Sequence, residues 1–313
     1  MIKNFADKLL EEIERFENPS CIGLDPRIGS IPDFIKKENK RKYKNIKKAY
    51  ANSLFNFNKM IVDATFDIVP AFKIQIAFYE KYGSEGIRVF EKTISYLKGK
   101  KKIVIVDAKR SDIGPTAEAY AKAFLSKEGF NVDALTVNPY LGIDGLEPFI
   151  KEAKKNGKGI FVLVKTSNPS SGDFQEKILK DGKKLYEVIG AKVNEWNKGT
   201  EGERKYGIVG AVVGATYPKE AKVLREIMPK SIFLVPGYGA QGGRANDIVF
   251  NFNQDGEGAI VHSARGIIFA YKNDPYKNRF GARKFHLAAR EAAMKMKEDL
   301  SQVLKICAPG YSF

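Results

Sequence analysis

The chain has little of what disulfide-rich, metal-binding or membrane-spanning proteins require. Only two cysteines, Cys21 and Cys307, and two histidines, His262 and His286, occur among 313 residues. The cysteines lie at opposite ends of the sequence, which argues against a disulfide framework and a CxxC metal site. The histidines are also too far apart in sequence to form a familiar ligand spacing. We therefore expect a protein of a reducing cytoplasm with no metal site.

Long apolar runs are missing as well. No uninterrupted run approaches the roughly 18 residues that a helix needs to cross a bilayer, so we expect no membrane partner. Residues 1–17 mix Lys, Asp and Glu with apolar positions. This pattern predicts an amphipathic N-terminal helix rather than a signal peptide.

Acidic residues are the scarcer charge, with 37 Asp and Glu against 53 Lys and Arg and a formal net charge of +16. Such a balance is typical of proteins with anionic partners, which include nucleic acid, acidic membranes and phosphorylated metabolites. Part of the excess lies in a Lys-rich insertion near residues 27–48. We interpret this insertion as a solvated surface, and a docking patch is the alternative.

Eight short apolar runs recur along the chain, each followed by polar or glycine-rich residues and then by a helical pattern. The runs are 20–23, 68–72, 102–106, 134–137, 160–164, 208–213, 232–235 and 259–262. Strands that alternate with helices predict a parallel sheet. Eight such units favour a (β/α)8 TIM barrel over an open doubly wound sheet. No linker divides the chain, so we predict one α/β domain over residues 1–313.

The run at 102–106 leads into an acid–base–acid pattern formed by Asp107, Lys109 and Asp112. Alternation along a strand directs Asp107 and Lys109 to the same side. Lys73 follows the neighbouring strand, and active sites of TIM barrels lie where the strands end. We predict a catalytic array of alternating charges there. A structural salt-bridge network is the alternative, although buried ion pairs stabilise proteins only weakly.

The sequence GYGAQG at 237–242 matches the GxGxxG pattern of dinucleotide-binding folds. That pattern belongs in a first βαβ unit, whereas here it follows the seventh predicted strand. A glycine-rich loop at this place is more typical of a phosphate site in a barrel. Backbone amides of the loop, which includes Gly242, would hold phosphate oxygens together with Arg265. Tight turns that merely need glycine are the alternative.

Two further chemistries are weakly supported. Lys165 follows the fifth predicted strand and could form a Schiff base, although no neighbouring feature singles it out. Asp25, Asp107 and Asp112 could hold Mg²⁺, but the interleaved lysines would repel the ion.

Taken together, these segments make the chain resemble the orotidine 5'-phosphate decarboxylase family, in its longer bacterial and protozoal type. The resemblance rests on CIGLDP at 21–26, FKIQIAFY at 72–79, DAKRSDI at 107–113, VKTSNP at 164–169, PGYGAQGG at 236–243 and Arg265. The pattern D-x-K-x-x-D alone is shared with sugar-phosphate enzymes. Five segments and Arg265, in the same order over most of the chain, make the resemblance specific.

The resemblance implies a role for each matching residue. Lys73, Asp107, Lys109 and Asp112 would form a catalytic tetrad, and Asp25 would bind ribose together with Lys73. Asp112 and Thr116 would be contributed across the interface of a homodimer. Ser167 would hydrogen-bond the pyrimidine, and Gln241 and Arg265 would bind the phosphate. A loop at 166–174 would close over the base.

The implied reaction converts orotidine 5'-monophosphate to UMP and CO₂, as in pyrimidine biosynthesis. No cofactor motif is present to take up electrons, so we predict a cofactor-free enzyme. The Lys109 ammonium would stabilise the C6 carbanion and then protonate it, with Asp107 and Asp112 favouring its charged form. One rival is a Mg²⁺-dependent sugar-phosphate decarboxylase or aldolase. A second rival is a basic barrel that binds nucleic acid without catalysis.

Overall fold

The computed structural model of the chain describes residues 2–239 and 242–307. Its eight strands are all parallel and are connected in sequence order, and β8 pairs with β1 to close the barrel. They are β1 (Ser20–Leu24), β2 (Ala71–Gln75), β3 (Ile103–Arg110), β4 (Ala134–Val137), β5 (Gly159–Lys165), β6 (Val209–Val213), β7 (Phe233–Pro236) and β8 (Ala259–Ser263). The predicted TIM barrel is confirmed.

Helices pack around this barrel because the strands are buried on both faces and need a covering layer. They are α1 (Phe5–Phe16), α2 (Asp33–Lys42), α3 (Ile46–Thr65), α4 (Ala77–Glu80), α5 (Ser84–Gly99), α6 (Gly114–Leu125), α7 (Glu147–Asn156), α8 (Leu185–Asn197), α9 (Pro218–Ile227), α10 (Arg265–Ile268), α11 (Tyr276–Phe280) and α12 (Phe285–Cys307). Across the described residues, none of the helices is long and apolar enough to span a membrane.

The strand boundaries differ from the predicted ones mainly at β2 and β3. β2 begins at Ala71 rather than at Ile68, because the preceding Pro70 has no N–H to donate to a ladder. Lys73 therefore lies within the strand. β3 extends to Arg110, so that Asp107 and Lys109 are strand residues with defined directions.

Helix α1 covers the amino end of the barrel. The Phe5 ring packs edge-on against Phe161, with 6.0 Å between the ring centroids. A side chain at Gly159 would clash with Phe5, since a Cβ atom there would lie 2.2 Å from the ring. Asp7 accepts hydrogen bonds from the backbone N–H groups of Glu203 and Arg204, each at 2.9 Å. The carboxyl end of the barrel is thus the end left for a site.

The Lys-rich insertion forms α2 and the start of α3. Ile35 and Asn39 of α2 are buried, whereas Lys37, Lys40 and Arg41 are exposed. This distribution is that of an amphipathic surface helix, with an apolar stripe inward and charges outward.

Arg225 of α9 joins the last two strands to the helices outside them. Its buried guanidinium donates five hydrogen bonds, at 2.8–3.1 Å, to the backbone carbonyls of Met228, Ser231, Asn251 and Gly258. Burial lowers the pKa of Arg225 to about 9. The carbonyl oxygens offset this cost of burial, because a guanidinium can satisfy several acceptors at once.

We expect Arg225→Met to lower the free energy of unfolding by about 3 kcal/mol, because several buried carbonyls lose their donor. Urea unfolding followed by circular dichroism measures the change. Arg279→Met, at a half-exposed arginine of α11, is the control and should change stability little. Equal effects of the two substitutions would contradict this structural role of Arg225.

Candidate active site

A cavity of about 380 Å³ opens at the carboxyl ends of the strands. This volume lies in the range of small-molecule sites. Six predicted site residues line it: Asp25, Lys73, Asp107, Lys109, Ser167 and Arg265. The topology brings them together from β1, β2, β3, β5 and β8, although they are spread over 240 positions of the chain.

Asp107 lies between two lysines at the centre of this cavity. Its Oδ2 atom is 3.0 Å from Lys73 Nζ, and its Oδ1 atom is 2.5 Å from Lys109 Nζ. The two ammonium groups differ in access, since the Lys73 side chain is 4% exposed and that of Lys109 is 47% exposed. Lys109 is therefore the more accessible of the two ammonium groups in the cavity.

Lys109 lies in a bulge of β3. The pairing of β3 with β4 shifts register between Val106 and Arg110, and Lys109 has a left-handed φ of 49°. Such a backbone is unfavourable for a residue with a Cβ atom and is concentrated at functional sites. The predicted common direction of Asp107 and Lys109 is confirmed, since both line the cavity, and Lys109 reaches it from a bulged rather than a regular strand backbone.

Thr136 of β4 holds the bulge, and we had not predicted it as a site residue. Its Oγ1 atom accepts hydrogen bonds from the backbone N–H groups of Ala108 and Lys109, both at 3.0 Å. The same hydroxyl donates to Asp107 Oδ1 at 2.9 Å. Thr136 thereby fixes both the backbone that carries Lys109 and the carboxylate that contacts it.

The charges of this array are strongly coupled. Burial alone would raise the pKa of the Asp107 carboxyl, but the ammonium groups of Lys73 and Lys109 hold this pKa well below its usual range. Burial alone would lower the pKa of Lys73, yet Asp107 and Asp25 raise it above its usual range. Both groups are therefore charged near neutral pH.

Asp25 has a different environment from Asp107. Burial raises the pKa of its carboxyl, although the nearby Lys73 ammonium opposes the shift. Its buried Oδ1 atom has no hydrogen-bond partner among the described residues. An unpaired buried acceptor is costly and is rare in proteins unless a ligand uses it.

The structure adds cavity residues that the sequence analysis did not propose as site residues, among them Arg27, Gln75, Phe78 and His262. Burial, reinforced by Lys73, lowers the pKa of His262 well below its usual value, so its ring is neutral. A Cβ atom at Gly23 would lie 2.3 Å from His262 Nε2, which explains why β1 carries glycine opposite this ring. Position at a strand end was the available signal for Gln75 and His262.

The glycine-rich segment after β7 contributes to the same cavity as Arg265. Gly237 and Arg265 both line the cavity. A Cβ atom at Gly243 would lie 2.7 Å from Ala215 and 3.0 Å from the Gly237 carbonyl, so the turn requires a glycine there. Gly242 has a φ of 96° and donates its N–H to the Gly239 carbonyl, but it does not line the cavity. Gln241 lies outside the described residues.

Lys165 does not line the cavity. Its side chain is 0% exposed, and its Nζ atom is 2.6 Å from Glu176 Oε1. A Schiff base needs an accessible amine, and this buried, ion-paired side chain offers none. The loop after β5 instead contributes Thr166, Ser167 and Asn168 to the cavity.

Asp112 and Thr116 lie outside the cavity lining of the described chain. Asp112 Oδ1 accepts a hydrogen bond from the Ile113 N–H at 2.8 Å, and Thr116 is exposed in the first turn of α6. The predicted tetrad is therefore present in one chain as Lys73, Asp107 and Lys109. The three aspartates of the Mg²⁺ alternative do not all line the cavity.

A closed (β/α)8 barrel that carries a coupled Lys–Asp–Lys array at its mouth, beside a glycine-rich turn and an arginine, is a TIM-barrel enzyme. Residues 21–276 match the family described as "Orotidine 5'-phosphate decarboxylase / HUMPS family". The chain belongs to this family.

Individual relatives agree with this assignment. The chain is 44% identical over 295 residues to the orotidine 5'-phosphate decarboxylase of Petrotoga mobilis, covering 94% of this chain and 97% of that protein. It is 41% identical over 309 residues to the protein of that name from Caldicellulosiruptor bescii, covering 96% and 99%. Its structure is similar to that of Leishmania donovani OMP decarboxylase, with a TM-score of 0.74, 29% identity and coverage of 96% and 98%.

Proposed function

We propose that this protein decarboxylates orotidine 5'-monophosphate to UMP and CO₂ in de novo pyrimidine biosynthesis. The observation that carries the proposal is the half-exposed Lys109 ammonium, which is held 2.5 Å from Asp107 inside the cavity. The family relationship supports the same substrate. The whole chain would act as one barrel domain.

The chemistry needs a fixed positive charge next to C6 of the pyrimidine. Loss of CO₂ leaves an electron pair in the ring plane, where the π system does not delocalise it directly. The Lys109 ammonium would stabilise this carbanion and then donate the proton that replaces CO₂. Asp107 and Lys73 hold Lys109 in place through one continuous chain of ion pairs, so little reorganisation is needed during the reaction.

The other cavity residues would bind the remaining parts of the nucleotide. The Asp25 carboxylate, whose Oδ1 atom has no hydrogen-bond partner among the described residues, and Lys73 would bind the ribose hydroxyls. Ser167 would hydrogen-bond the pyrimidine. Arg265, Gln241 and the loop that contains Gly242 would bind the phosphate. Binding energy from the phosphate would help to close residues 166–174 over the base and exclude water.

A direct assay tests this function. Ultraviolet absorbance follows conversion of orotidine 5'-monophosphate, and EDTA should leave the rate unchanged. Loss of activity with EDTA would favour a Mg²⁺-dependent sugar-phosphate enzyme. Salt-sensitive binding of nucleic acid without turnover would favour a binding protein.

We further propose a homodimer in which Asp112 and Thr116 complete the partner's site. Four apolar side chains near Asp112 are unusually exposed: Ile113, Tyr140, Leu141 and Ile143 at 55%, 89%, 44% and 42%. Several large apolar side chains exposed to this extent in one region are typical of an interface. Gly145 lies against both Leu141 and the Asp112 backbone, which ties the loop before α6 to this surface.

Mixing two inactive variants tests whether Asp112 acts across the interface. A hybrid of Lys109→Ala and Asp112→Ala subunits would contain one complete site. Random re-pairing of equal amounts should therefore restore about one quarter of wild-type activity, because half of the dimers are hybrids. Each variant alone is the control. No recovery in verified hybrids would mean that Asp112 serves its own chain or none.

Asp25→Asn is expected to stabilise the protein while weakening its binding of UMP. The raised pKa of Asp25 means that folding favours the protonated form, so the ionised carboxylate opposes folding above its unfolded-state pKa. The neutral amide removes that cost, and urea unfolding at pH 7 should show a higher midpoint. Loss of a charged acceptor for ribose should weaken UMP binding by about 10- to 100-fold. At pH values below the unfolded-state pKa, the stability difference should vanish.

A further inference from the structure

The buried Lys165 has an environment that the mechanism above does not use. Its ammonium donates to Ser171 Oγ at 2.8 Å and to Glu176 Oε1 at 2.6 Å. The Tyr217 ring lies beneath it, with 3.8 Å between Nζ and the ring centroid. Ser171 and Glu176 follow the cavity-lining residues 166–168 in the chain. The two hydrogen bonds from Lys165 therefore hold this part of the chain against the end of β5.

A second bulge explains why this side chain leaves the cavity. The pairing of β5 with β6 shifts register between Leu163 and Lys165. Leu163 lines the cavity, and regular alternation would have directed Lys165 there too. The shift turns Lys165 outward, toward the loop.

The hydrogen bonds from Lys165 form a chain with a defined direction. An ammonium can only donate, so Ser171 Oγ must accept from it. The Ser171 hydroxyl then donates to the Tyr217 hydroxyl at 3.2 Å, which donates to the Asn168 carbonyl at 3.2 Å. The chain ends on the backbone next to Ser167, inside the cavity lining.

The base of the loop is closed by a neighbouring pair. Gln175 Oε1 accepts from the Thr166 N–H at 2.9 Å, and Gln175 Nε2 donates to Thr166 Oγ1 at 2.8 Å. Gly214 at the end of β6 lies against Ser167, where a Cβ atom would be 2.9 Å from its Cα. These contacts fix both ends of the loop at 166–174. Lys165 fixes the middle of the loop through its hydrogen bond to Ser171.

We propose that Lys165 is a positioning residue, whose buried ammonium sets the place of Ser167 and thereby the recognition of the pyrimidine. The inference rests on the proposed function in one respect, which is that Ser167 contacts the base. It predicts that loss of Lys165 weakens binding of the base and leaves binding of the ribose phosphate intact.

Lys165→Met tests the proposal because it keeps the length of the side chain and removes its charge. We expect the affinity for UMP to fall about 10- to 100-fold, as for loss of charged hydrogen bonds. The affinity for ribose 5-phosphate should not change. Equal loss for both ligands would show a general structural effect and overturn the proposal.

A double-mutant cycle shows whether Lys165 acts through Ser167. The losses of UMP affinity caused by Lys165→Met and Ser167→Ala should not add, since both remove the same contact. Additive losses would overturn the proposal.

Tyr217→Phe is a second test of the proposal, to be used if Lys165→Met does not fold. It preserves the ring beneath the ammonium and removes only the hydroxyl that reaches Asn168. We expect UMP affinity to fall about 2- to 10-fold, again without a change for ribose 5-phosphate. Tyr96→Phe, which removes a hydroxyl that bonds Asp63, is the matched control and should leave both affinities unchanged.

Hydrogen exchange separates this proposal from the proposed function. Amides of residues 167–174 should exchange faster in Lys165→Met and Tyr217→Phe than in the wild type, with or without a nucleotide. If the wild type does not turn over orotidine 5'-monophosphate, the proposed function fails while the exchange result still tests the loop anchor. Unchanged exchange in both variants would overturn the role of Lys165.

Discussion

Lys109→Ala is expected to slow decarboxylation of orotidine 5'-monophosphate by at least about 10⁴-fold, because it removes both the charge that stabilises the carbanion and the proton donor. Binding of UMP should persist, since UMP has no carboxylate and no developing charge at C6. The expected change is therefore in kcat, with the affinity for product nearly preserved. Initial rates and calorimetric titration with UMP measure the two quantities.

The structure explains why Lys73 should not replace Lys109. Lys73 Nζ is buried against Asp107 and cannot take the place of Lys109 beside C6 without breaking that pair. The half-exposed Lys109 side chain needs no such rearrangement. Lys109 therefore has no substitute among the cavity ammonium groups described here.

Lys127→Ala is the matched control for this prediction. Lys127 is exposed in the turn between α6 and β4, at the amino end of the barrel. Its removal changes the net charge by the same amount but should leave kcat unaffected. Substantial CO₂ release by Lys109→Ala, at more than a hundredth of the wild-type rate, would contradict the proposed role of Lys109.

The barrel and the central array were predictable from the sequence for a physical reason. Strands that are covered on both faces must be continuously apolar, so the eight runs stand out between polar connections. Parallel strands bring all their carboxyl ends to one edge, which places Lys73 beside Asp107 although 33 residues separate them. Only the general rule of parallel sheets was needed for that step.

Alternation predicted the direction of Lys109, but the direction of Lys165 was not predictable in the same way. Lys109 and Lys165 both lie where a register shift interrupts regular pairing. The first is directed into the cavity and the second away from it. A bulge depends on backbone contacts with the neighbouring strand, such as those of the Thr136 hydroxyl, and no local sequence pattern announces it.

Asp112 is a second residue whose place in the site could not be predicted from the packing of one chain. The resemblance assigned it to the catalytic tetrad, but in a single chain it lies outside the cavity lining. Its assignment to a partner's site stays a prediction, to be tested by the mixing experiment. Properties that arise only between two copies are not fixed by packing within one chain.

Asp107→Asn is expected to damage stability and catalysis together. Asp107 is the carboxylate between Lys73 and Lys109, and removing one partner of a buried pair leaves the other charge uncompensated. We expect the free energy of unfolding at pH 7 to fall by about 3 kcal/mol, a typical value for a broken buried ion pair. Decarboxylation should fall by at least about 10³-fold, because Lys109 loses the group that positions it.

The pH dependence of this loss follows from the two shifted pKa values. The pKa of Asp107 is lowered by folding, so its stabilisation is fully present above its unfolded pKa of about 3.9 and disappears as the pH falls through the folded value. The pKa of Lys73 is raised, so its contribution is present below about 10.4 and disappears as the pH rises through the folded value. The stability difference between wild type and Asp107→Asn should therefore be constant from about pH 5 to pH 9.

A matched buried pair at the other end of the barrel provides the control. Asp133 lies 3.3 Å from Lys158 and accepts the Val104 N–H at 2.9 Å. Asp133→Asn should also destabilise the fold, but kcat of the folded enzyme should be unchanged. A comparable loss of kcat in both variants would mean that destabilisation alone explains the effect of Asp107→Asn.

The double variant Lys73→Met/Asp107→Asn separates the two roles of Asp107. Replacing a whole buried ion pair by neutral groups is often nearly neutral for stability, so the double variant should regain much of the lost stability. It should remain inactive.

Asp107 would also repel the substrate carboxylate, by about 4 kcal/mol for like charges 4 Å apart at an effective dielectric constant near 20. If that repulsion contributes, Asp107→Asn will bind orotidine 5'-monophosphate more tightly relative to UMP than the wild type does. An unchanged affinity ratio would assign the entire catalytic role of Asp107 to its hold on Lys109.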